Sequence, residues 1–265
     1  MIPVRILSQV VAVVAVLLGI AGLTLVGRER LARLPQAAPD HLRAVGPHLV
    51  ALGVLLVVNS VVRDFGPKFS WIVGWNITGT IHAIEGPFVA TLQSTLASPA
   101  LTAYFSVVYV YGYAFLLVFP LLAYFALDDA GPLRRTIVAY GVNYGLGVVC
   151  YVAFIAYGPR NLMPEMVESL LFTTYPEYQL LTNEVNSNTN VFPSLHTSLS
   201  VTVALLAART RDVYRGWLYV STLLAFSVVV ATIYLGIHWG TDVAAGTVLA
   251  VLSVWVAERY VSNTQ

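Results

Sequence analysis

Seven apolar stretches, each long enough to cross or nearly cross a lipid bilayer, limit what this chain can fold into. A helix that spans the hydrocarbon core needs about 20 consecutive, mostly apolar residues. The stretches lie at residues 6–26, 49–62, 101–127, 136–157, 194–208, 216–237 and 241–257. Only 10% of the 265 residues are charged, whereas soluble domains carry about 25%. The sequence therefore predicts an all-α, polytopic transmembrane helical bundle of six to seven spans with interfacial helices.

A polar link at residues 27–47 joins the first two stretches and contains three prolines. Proline lacks the amide donor that a helix interior uses, so we expect a cytoplasmic loop here, with at most a short surface helix within it. His41 and His48 then face solvent at this end of the protein. The second span reaches full length if it begins near Val45, and the charged residues between positions 63 and 68 mark its exit.

Residues 69–99 mix tryptophans and glycines with His82 and Glu85, and their longest apolar runs are too short to cross a membrane. Tryptophan is enriched at the membrane–water interface, where amphipathic helices lie in the plane of the bilayer. We predict one or two interfacial helices in this segment, with a full span as the alternative. The chain then divides into residues 1–99, with the N-terminal spans and the interfacial segment, and residues 100–265, the membrane core.

The distribution of positive charge orients the bundle. With seven spans and the N-terminus outside, ten arginines fall on the inner side and four cations on the outer side, as the positive-inside rule requires. The inner set is Arg28, Arg30, Arg33, Arg43, Arg134, Arg135, Arg209, Arg211, Arg215 and Arg259, and the outer set is Arg5, Arg63, Lys68 and Arg160. We expect an integral protein of the cytoplasmic membrane. The net charge of +1 gives no electrostatic case for a nucleic-acid partner.

A Pro193-Ser194-Leu195-His196 sequence stands at the start of the fifth apolar stretch. Pro193 suits the first turn of a helix, where its missing N–H is not needed. The amides of Ser194, Leu195 and His196 would then point out of the helix end, which favours an anion through the helix dipole. The Ser194 hydroxyl is a further donor, and His196 can pass a proton. The alternative is an ordinary helix start at the membrane interface.

A second set of polar residues falls on the same outer side. His238 and Asp242 are four residues apart, so on one helical turn they share a face, and a carboxylate beside an imidazole suits a nucleophile or a general base. Arg160 can bind phosphate oxygens with two parallel hydrogen bonds. His82 and Glu85, three residues apart, are further candidates for contacts to a headgroup. For each of these, the alternative is a polar anchor at the membrane interface.

The combination is more specific than its parts. Two histidines, an aspartate, an arginine and a helix N-terminus are what phosphoryl transfer through a phosphohistidine uses. We predict no metal and no cofactor, because the acidic residues are too scattered to form a magnesium site. The single cysteine, Cys150, lies in an apolar run and is expected to be a small buried hydrophobe.

These residues resemble two motifs of the type 2 phosphatidic acid phosphatase superfamily, whose members are membrane phosphoesterases and related soluble acid phosphatases. The resemblance covers residues 157–259, with Pro193-Ser194-Leu195-His196 as one motif and His238-Trp239-Gly240-Thr241-Asp242 as the other. It implies that His238 is the nucleophile, that Asp242 orients it and that His196 is the general acid.

The chain departs from the family pattern at two cations. Arg160 aligns with the arginine of the first family motif, but Ala153 stands at the lysine position and Asn161 at the proline position. Ala231 and Thr232 stand where the family has serine and arginine. This reduced form is similar to the inositol phosphorylceramide synthase and sphingomyelin synthase branch. A phosphodiester carries less charge than a phosphomonoester, which is consistent with fewer cations.

We therefore predict a membrane enzyme that acts on a membrane lipid at the outer face, with preference for transfer of a phospho-headgroup between lipids. The first alternative is a lipid phosphate or polyprenyl diphosphate phosphatase, in which water is the acceptor. The second alternative is a non-catalytic lipid-binding or transport protein of the same fold.

Overall fold

A computed structural model of the protein describes residues 4–179, 189 and 191–263, and it is almost entirely helical. The helices are α1 Val4–Ala21, α2 Arg28–Val73, α3 Thr78–Glu85, α4 Phe88–Leu96, α5 Pro99–Val107, α6 Tyr113–Phe125, α7 Gly131–Ala153, α8 Pro159–Leu162, α9 Leu170–Thr174, α10 Leu195–Arg209, α11 Arg215–Tyr234 and α12 Gly240–Ser262. Two π-helical segments, Gly22–Val26 and Val108–Gly112, continue α1 and join α5 to α6. Two short strands, β1 Trp75–Asn76 and β2 Phe154–Ile155, pair in parallel. The architecture confirms the predicted all-α bundle.

Six helical stretches of the described chain are long and apolar enough to cross a membrane. They are Arg5–Val26, Ala38–Val62, Pro99–Phe125, Gly131–Ala153, Arg215–Tyr234 and Gly240–Ser262. The apolar helix α10, with 15 residues, rises about 22 Å, less than the ~30 Å of a bilayer core. Six long spans and one short apolar helix agree with the predicted six to seven.

The polar link at residues 27–47 is helical, so the predicted loop is wrong. After a turn at Gly27, whose φ of +92° suits glycine, α2 runs without interruption through the link and past the expected exit at residues 63–68. Alanine, leucine and arginine, which are frequent in this segment, favour helix. A proline inside a membrane helix is tolerated where neighbouring groups satisfy the freed carbonyls.

The two histidines of this segment are also not solvated as expected. His41 is 6% exposed, and its Nε2 lies 2.8 Å from the carbonyl oxygen of Leu127. Its ring packs beside Phe125, with the centroids 5.3 Å apart. His48 is half-buried, and its ring centroid lies 5.7 Å from that of Tyr260. Both histidines are therefore part of the packing of α2 against the residues that follow α6 and the end of α12.

Residues 69–99 contain the last turn of α2, β1 and the two short helices α3 and α4. Neither short helix is long enough to cross a membrane. The predicted short helices are therefore confirmed, and the alternative of a full span in this segment is wrong. Gln93 on α4 holds this segment to the rest of the protein. Its Oε1 accepts from the Glu168 amide at 2.9 Å, and its Nε2 donates to the carbonyl oxygens of Glu168 at 3.1 Å and Tyr234 at 2.9 Å.

The main core lies where α6, α7, α10 and α11 meet. Trp217 is fully buried there, and its ring centroid lies 4.5 Å from that of Phe119. The first turn of α10 passes very close to α12, because a Cβ at Gly246 would meet the Ser194 carbonyl oxygen at 2.5 Å. This close approach brings together the two helix N-termini that carry the predicted site.

Candidate active site

The helix that carries His196 begins at Leu195, two residues after the predicted start at Pro193. Ser194 is the N-cap of α10, and its hydroxyl accepts from the Thr197 amide at 3.3 Å. The Ser194 amide donates to the Asp242 carbonyl oxygen at 3.0 Å. The expectation that Pro193 starts the helix and leaves the Ser194 amide unpaired is therefore wrong. Serine is a preferred N-cap, and this one takes that position.

His238 lies in the turn before α12, and Asp242 lies in the first turn of the helix itself. The two residues do not share a helical turn as predicted, yet their side chains meet. His238 Nδ1 is 3.4 Å from Asp242 Oδ2, and both residues are almost completely buried. Because a carboxylate can only accept, this contact places the imidazole proton on Nδ1. The other nitrogen, Nε2, is then free of a proton and able to act as a nucleophile.

Hydrogen bonds fix the turn that carries this pair. The Asp242 Oδ2 atom also accepts from the Trp239 amide at 2.9 Å. The indole Nε1 of Trp239 donates to the Tyr157 carbonyl oxygen at 2.8 Å. The amides of Ile237 and His238 both donate to the Thr232 carbonyl oxygen, each at 3.1 Å. The backbone on both sides of His238 is therefore held by α11 and by the loop after β2.

His196 faces His238 across the site. The centroids of the two imidazole rings are 6.4 Å apart. This separation makes the two imidazoles neighbours, so that both can contact the same small group. The His196 ring packs against two tyrosines, with centroid distances of 4.5 Å to Tyr109 and 4.4 Å to Tyr113. These two rings fix the plane of the His196 imidazole.

Arg160 comes from α8 and is tied to the same turn. Its amide donates to the Gly236 carbonyl oxygen at 3.1 Å, and its guanidinium lies 4.4 Å from the centroid of the Phe172 ring. Burial lowers the pKa of the guanidinium, while the nearby Tyr109 raises it. Within the described residues, Arg160 Nη1 is buried without a hydrogen-bond partner. An unpaired buried guanidinium nitrogen is suited to a phosphate oxygen, and Tyr109, which interacts with this guanidinium, also stacks on His196.

The close approach of the Arg160 loop depends on a glycine. A Cβ at Gly158 would meet the Ile237 carbonyl oxygen at 2.3 Å, a distance that no other residue can accept without movement. Gly158 therefore lets the loop lie directly against the residue before His238. The structure thus brings together His196, His238, Asp242 and Arg160, all four at one end of the bundle.

His82 and Glu85 lie next to the site on α3. The Glu85 oxygens accept from the amides of Gly240 at 2.9 Å and Thr241 at 2.5 Å, so this carboxylate contacts the α12 backbone. The His82 ring centroid is 5.9 Å from that of Trp239, and its Nδ1 is buried without a partner among the described residues. In the part of the chain that the structure describes, no three His, Cys, Asp or Glu side chains group as they would around a metal ion.

A protein-family model described as the PAP2 superfamily matches residues 82–256, about two thirds of the chain. The chain belongs to the PAP2 superfamily. This finding confirms the resemblance seen in the two sequence motifs. The match begins within α3 and ends within α12, so in this PAP2 protein it includes every candidate site residue named above.

The PAP2 chain is 37% identical over 117 residues to the bacitracin transport permease protein BcrC of Bacillus licheniformis. The aligned part is 40% of this chain and 55% of BcrC, so the chain spans about half the length of this curated relative. No solved structure matches the PAP2 chain significantly.

The sequence did not reveal the role of Tyr109 and Tyr113. Both lie in or beside the π-helical segment of the third span, in a Tyr109-Val110-Tyr111-Gly112-Tyr113 sequence. Single π-helical turns inside α-helices are frequent at functional sites. Three tyrosines within five residues of a membrane helix are an available signal, because each hydroxyl needs a polar neighbour.

At the two positions where the family motifs have a lysine and an arginine, this PAP2 protein has the uncharged residues Ala153 and Thr232. Ala153 is the last residue of α7. Thr232 is fully buried, and its hydroxyl donates to the Val229 carbonyl oxygen at 2.7 Å within α11. The backbone of Thr232 keeps a role, since its carbonyl oxygen accepts from the His238 amide.

Proposed function

We propose that this PAP2 protein is an integral membrane phosphatase that hydrolyses a lipid phosphate, with a polyprenyl diphosphate as the preferred class of substrate, through a phosphohistidine on His238. The observation that carries the proposal is the buried His238–Asp242 pair, 3.4 Å apart, with the His196 ring centroid 6.4 Å from that of His238. The similarity to the bacitracin transport permease protein BcrC supports a role in the membrane and therefore a membrane-bound substrate.

The first step is attack of His238 Nε2 on phosphorus. A P–N bond forms, the bond between phosphorus and the leaving oxygen breaks, and His196 gives that oxygen a proton. Asp242 holds the Nδ1 proton and stabilises the positive charge that develops on the His238 ring. Arg160, with its unpaired Nη1, binds the phosphoryl oxygens and stabilises their negative charge.

The second step is hydrolysis of the phosphohistidine. His196, now neutral, takes a proton from water as the water oxygen attacks phosphorus. The P–N bond breaks, inorganic phosphate leaves, and both histidines return to their starting state. Each residue is therefore used twice in one cycle.

The end of the bundle that holds this site is the outer one in the proposed topology. Arg28, Arg30 and Arg33 lie at the start of α2, and Arg209 and Arg259 lie near the ends of α10 and α12. All five are at the end of the bundle opposite to the site. An excess of arginine marks the cytoplasmic side, so the site opens to the outer leaflet.

Turnover of defined lipids tests the proposal. The purified protein in detergent is given a polyprenyl diphosphate and a phosphatidic acid, and release of inorganic phosphate is measured for wild type and His238→Ala. His48→Ala, at the other end of the bundle, is the matched histidine control. We expect release by wild type and by His48→Ala, and a loss of about 10³-fold or more in His238→Ala. Equal rates in wild type and His238→Ala would show that the proposal is wrong.

Transfer of a phospho-headgroup to a lipid alcohol is the second candidate. It is favoured by the loss of two cations at Ala153 and Thr232, because a phosphodiester donor carries less charge than a phosphomonoester. The same experiment with phosphodiester lipids and a diacylglycerol or ceramide acceptor separates the two. If wild type forms a new phospholipid without releasing phosphate, and His238→Ala does not form it, the reaction is transfer and not hydrolysis.

A further inference from the structure

The N-terminus of α12 is occupied by a carboxylate from another part of the chain. Glu85, the last residue of α3, accepts from the Gly240 amide through Oε2 at 2.9 Å and from the Thr241 amide through Oε1 at 2.5 Å. A negative charge at a helix N-terminus is stabilised by the helix dipole and by the unpaired amides. Glu85 therefore binds where an anionic ligand of this helix would otherwise bind.

The turn next to Glu85 is bonded at every amide from Ile237 to Thr241. Ile237 and His238 donate to the Thr232 carbonyl oxygen, and Trp239 donates to Asp242 Oδ2. Glu85 supplies the acceptors for the remaining two amides. Without it, the amides of Gly240 and Thr241, two of the three between His238 and Asp242, would lose their acceptors.

We propose that Glu85 is a positioning residue for the His238–Asp242 pair, and that it also closes the N-terminus of α12 to the substrate phosphate. The phosphoryl group is thereby directed to the side of the site that holds Arg160 and His196. The proposal rests on the phosphatase function proposed above, because it assigns Glu85 a part in that reaction. Glu85 acts through the Gly240 and Thr241 amides and does not touch the reacting atoms.

The first test separates positioning from substrate binding by kinetics. Glu85→Gln keeps the length of the side chain but loses its charge and one of its two acceptors, and Glu85→Asp keeps the charge on a shorter side chain. Since a misplacement of about 1 Å at a catalytic group costs roughly 10²-fold, we expect Glu85→Gln to lower kcat by about 10- to 100-fold with KM changed by less than about threefold. Glu85→Asp should recover part of this loss. The exposed Glu165 provides the matched control, Glu165→Gln, with unchanged kcat.

The second test needs no turnover. Inorganic phosphate is titrated against wild type, Glu85→Gln and Glu165→Gln, and binding is followed by the shift of Tm and by ³¹P NMR. If Glu85 closes the helix end, Glu85→Gln should bind phosphate more tightly than the other two proteins. Unchanged phosphate affinity together with a kcat within about twofold of wild type would overturn the proposal.

The two proposals fail in different ways. Absence of turnover that depends on His238 in the wild type would overturn the phosphatase function, and the phosphate titration would still decide the role of Glu85. Turnover that depends on His238 but is unaffected by Glu85→Gln would overturn the positioning role alone. A rise in KM at constant kcat would also overturn it, since that result indicates direct contact with substrate.

Discussion

The Ser194 amide donates a hydrogen bond to the carbonyl oxygen of Asp242 at 3.0 Å, and this bond joins the two halves of the site. Ser194 caps the helix that begins with Leu195 and His196, and Asp242 lies in the first turn of the helix that follows His238. One backbone bond thus sets the distance between the proposed general acid and the proposed nucleophile. Because the bond uses backbone atoms, substitution of the Asp242 side chain leaves it in place.

Asp242→Asn is therefore a clean test of the carboxylate. An amide at this position can donate to His238 Nδ1 and so favours the tautomer with its proton on Nε2, which cannot attack phosphorus. Loss of the orienting carboxylate from a histidine-based site costs up to about 10⁴-fold in kcat, and we expect a loss of about 10²–10⁴-fold here. Steady-state kinetics of phosphate release measures it.

A matched control for this substitution is Asp40→Asn, on the exposed surface of α2. We expect it to have the activity of wild type. Asp242→Asn should elute from a sizing column in detergent as wild type does, because the Ser194 bond remains. Full activity in Asp242→Asn would contradict the assigned role of the carboxylate.

Gly158→Ala should disturb the site without changing any of its reactive groups. The new Cβ would lie 2.3 Å from the Ile237 carbonyl oxygen, so the loop that carries Arg160 must move away from His238. We expect kcat/KM to fall by about 10²-fold, since a displacement of 1 Å can cost that much. Gly141→Ala, where the added Cβ meets nothing within 4 Å, should retain activity. Equal activity of the two variants would show that the close approach is not needed.

The two motifs with the proposed reactive residues could be recognised in the sequence because each is a short local pattern. Pro193-Ser194-Leu195-His196 and the spacing of His238 and Asp242 each lie next to an apolar stretch, and the topology of the spans alone places them on one side. The pairing of His238 with Asp242 followed from their separation, although the turn that brings them together is not helical throughout.

What the sequence did not predict depends on packing between distant segments. The prolines at residues 27–47 indicated a loop, but α2 is helical there and buries His41 against Phe125 and Leu127. Glu85 looked like a headgroup contact because no local pattern shows that its partners are amides some 155 residues away. Such contacts are set by the folded bundle and leave no periodic signal in the chain.

Arg160→Lys tests whether the guanidinium binds the phosphoryl oxygens. Lysine keeps the charge but cannot form two parallel hydrogen bonds, so we expect KM to rise by about 10-fold with a smaller change in kcat. Burial lowers the pKa of the cation at this position. A lysine, with an ordinary pKa of about 10.4, should therefore lose its proton, and its affinity for substrate, at a lower pH than free lysine does.

The measurement for Arg160→Lys is the dependence of KM on pH between about 7 and 10. Wild type should show no rise of KM that is due to this residue, because arginine stays protonated throughout. Arg135→Lys, an arginine at the other end of the bundle, is the control. Identical dependence of KM on pH in wild type and Arg160→Lys would show that Arg160 does not bind the substrate.

Tyr109 should matter through its ring, because it stacks on His196 with a centroid distance of 4.5 Å and an interplanar angle of 20°. Tyr109→Phe keeps the ring and should retain most of the activity. Tyr109→Leu removes the stacking, worth about 0.5–1.5 kcal/mol for an aromatic pair, and frees His196 to turn. We expect kcat on a lipid phosphate to fall by about 10-fold in Tyr109→Leu.

The leaving group shows whether that loss acts through the general acid. With phosphatidic acid as the substrate, the leaving group is a lipid alcohol that needs a proton from His196, whereas p-nitrophenolate is stable without one. The loss in Tyr109→Leu should therefore be several-fold smaller on p-nitrophenyl phosphate than on the lipid phosphate, while Asp242→Asn, which disables the nucleophile, should reduce both rates equally. If Tyr109→Leu also reduced both equally, the ring would support the fold of the site and not the proton transfer from His196.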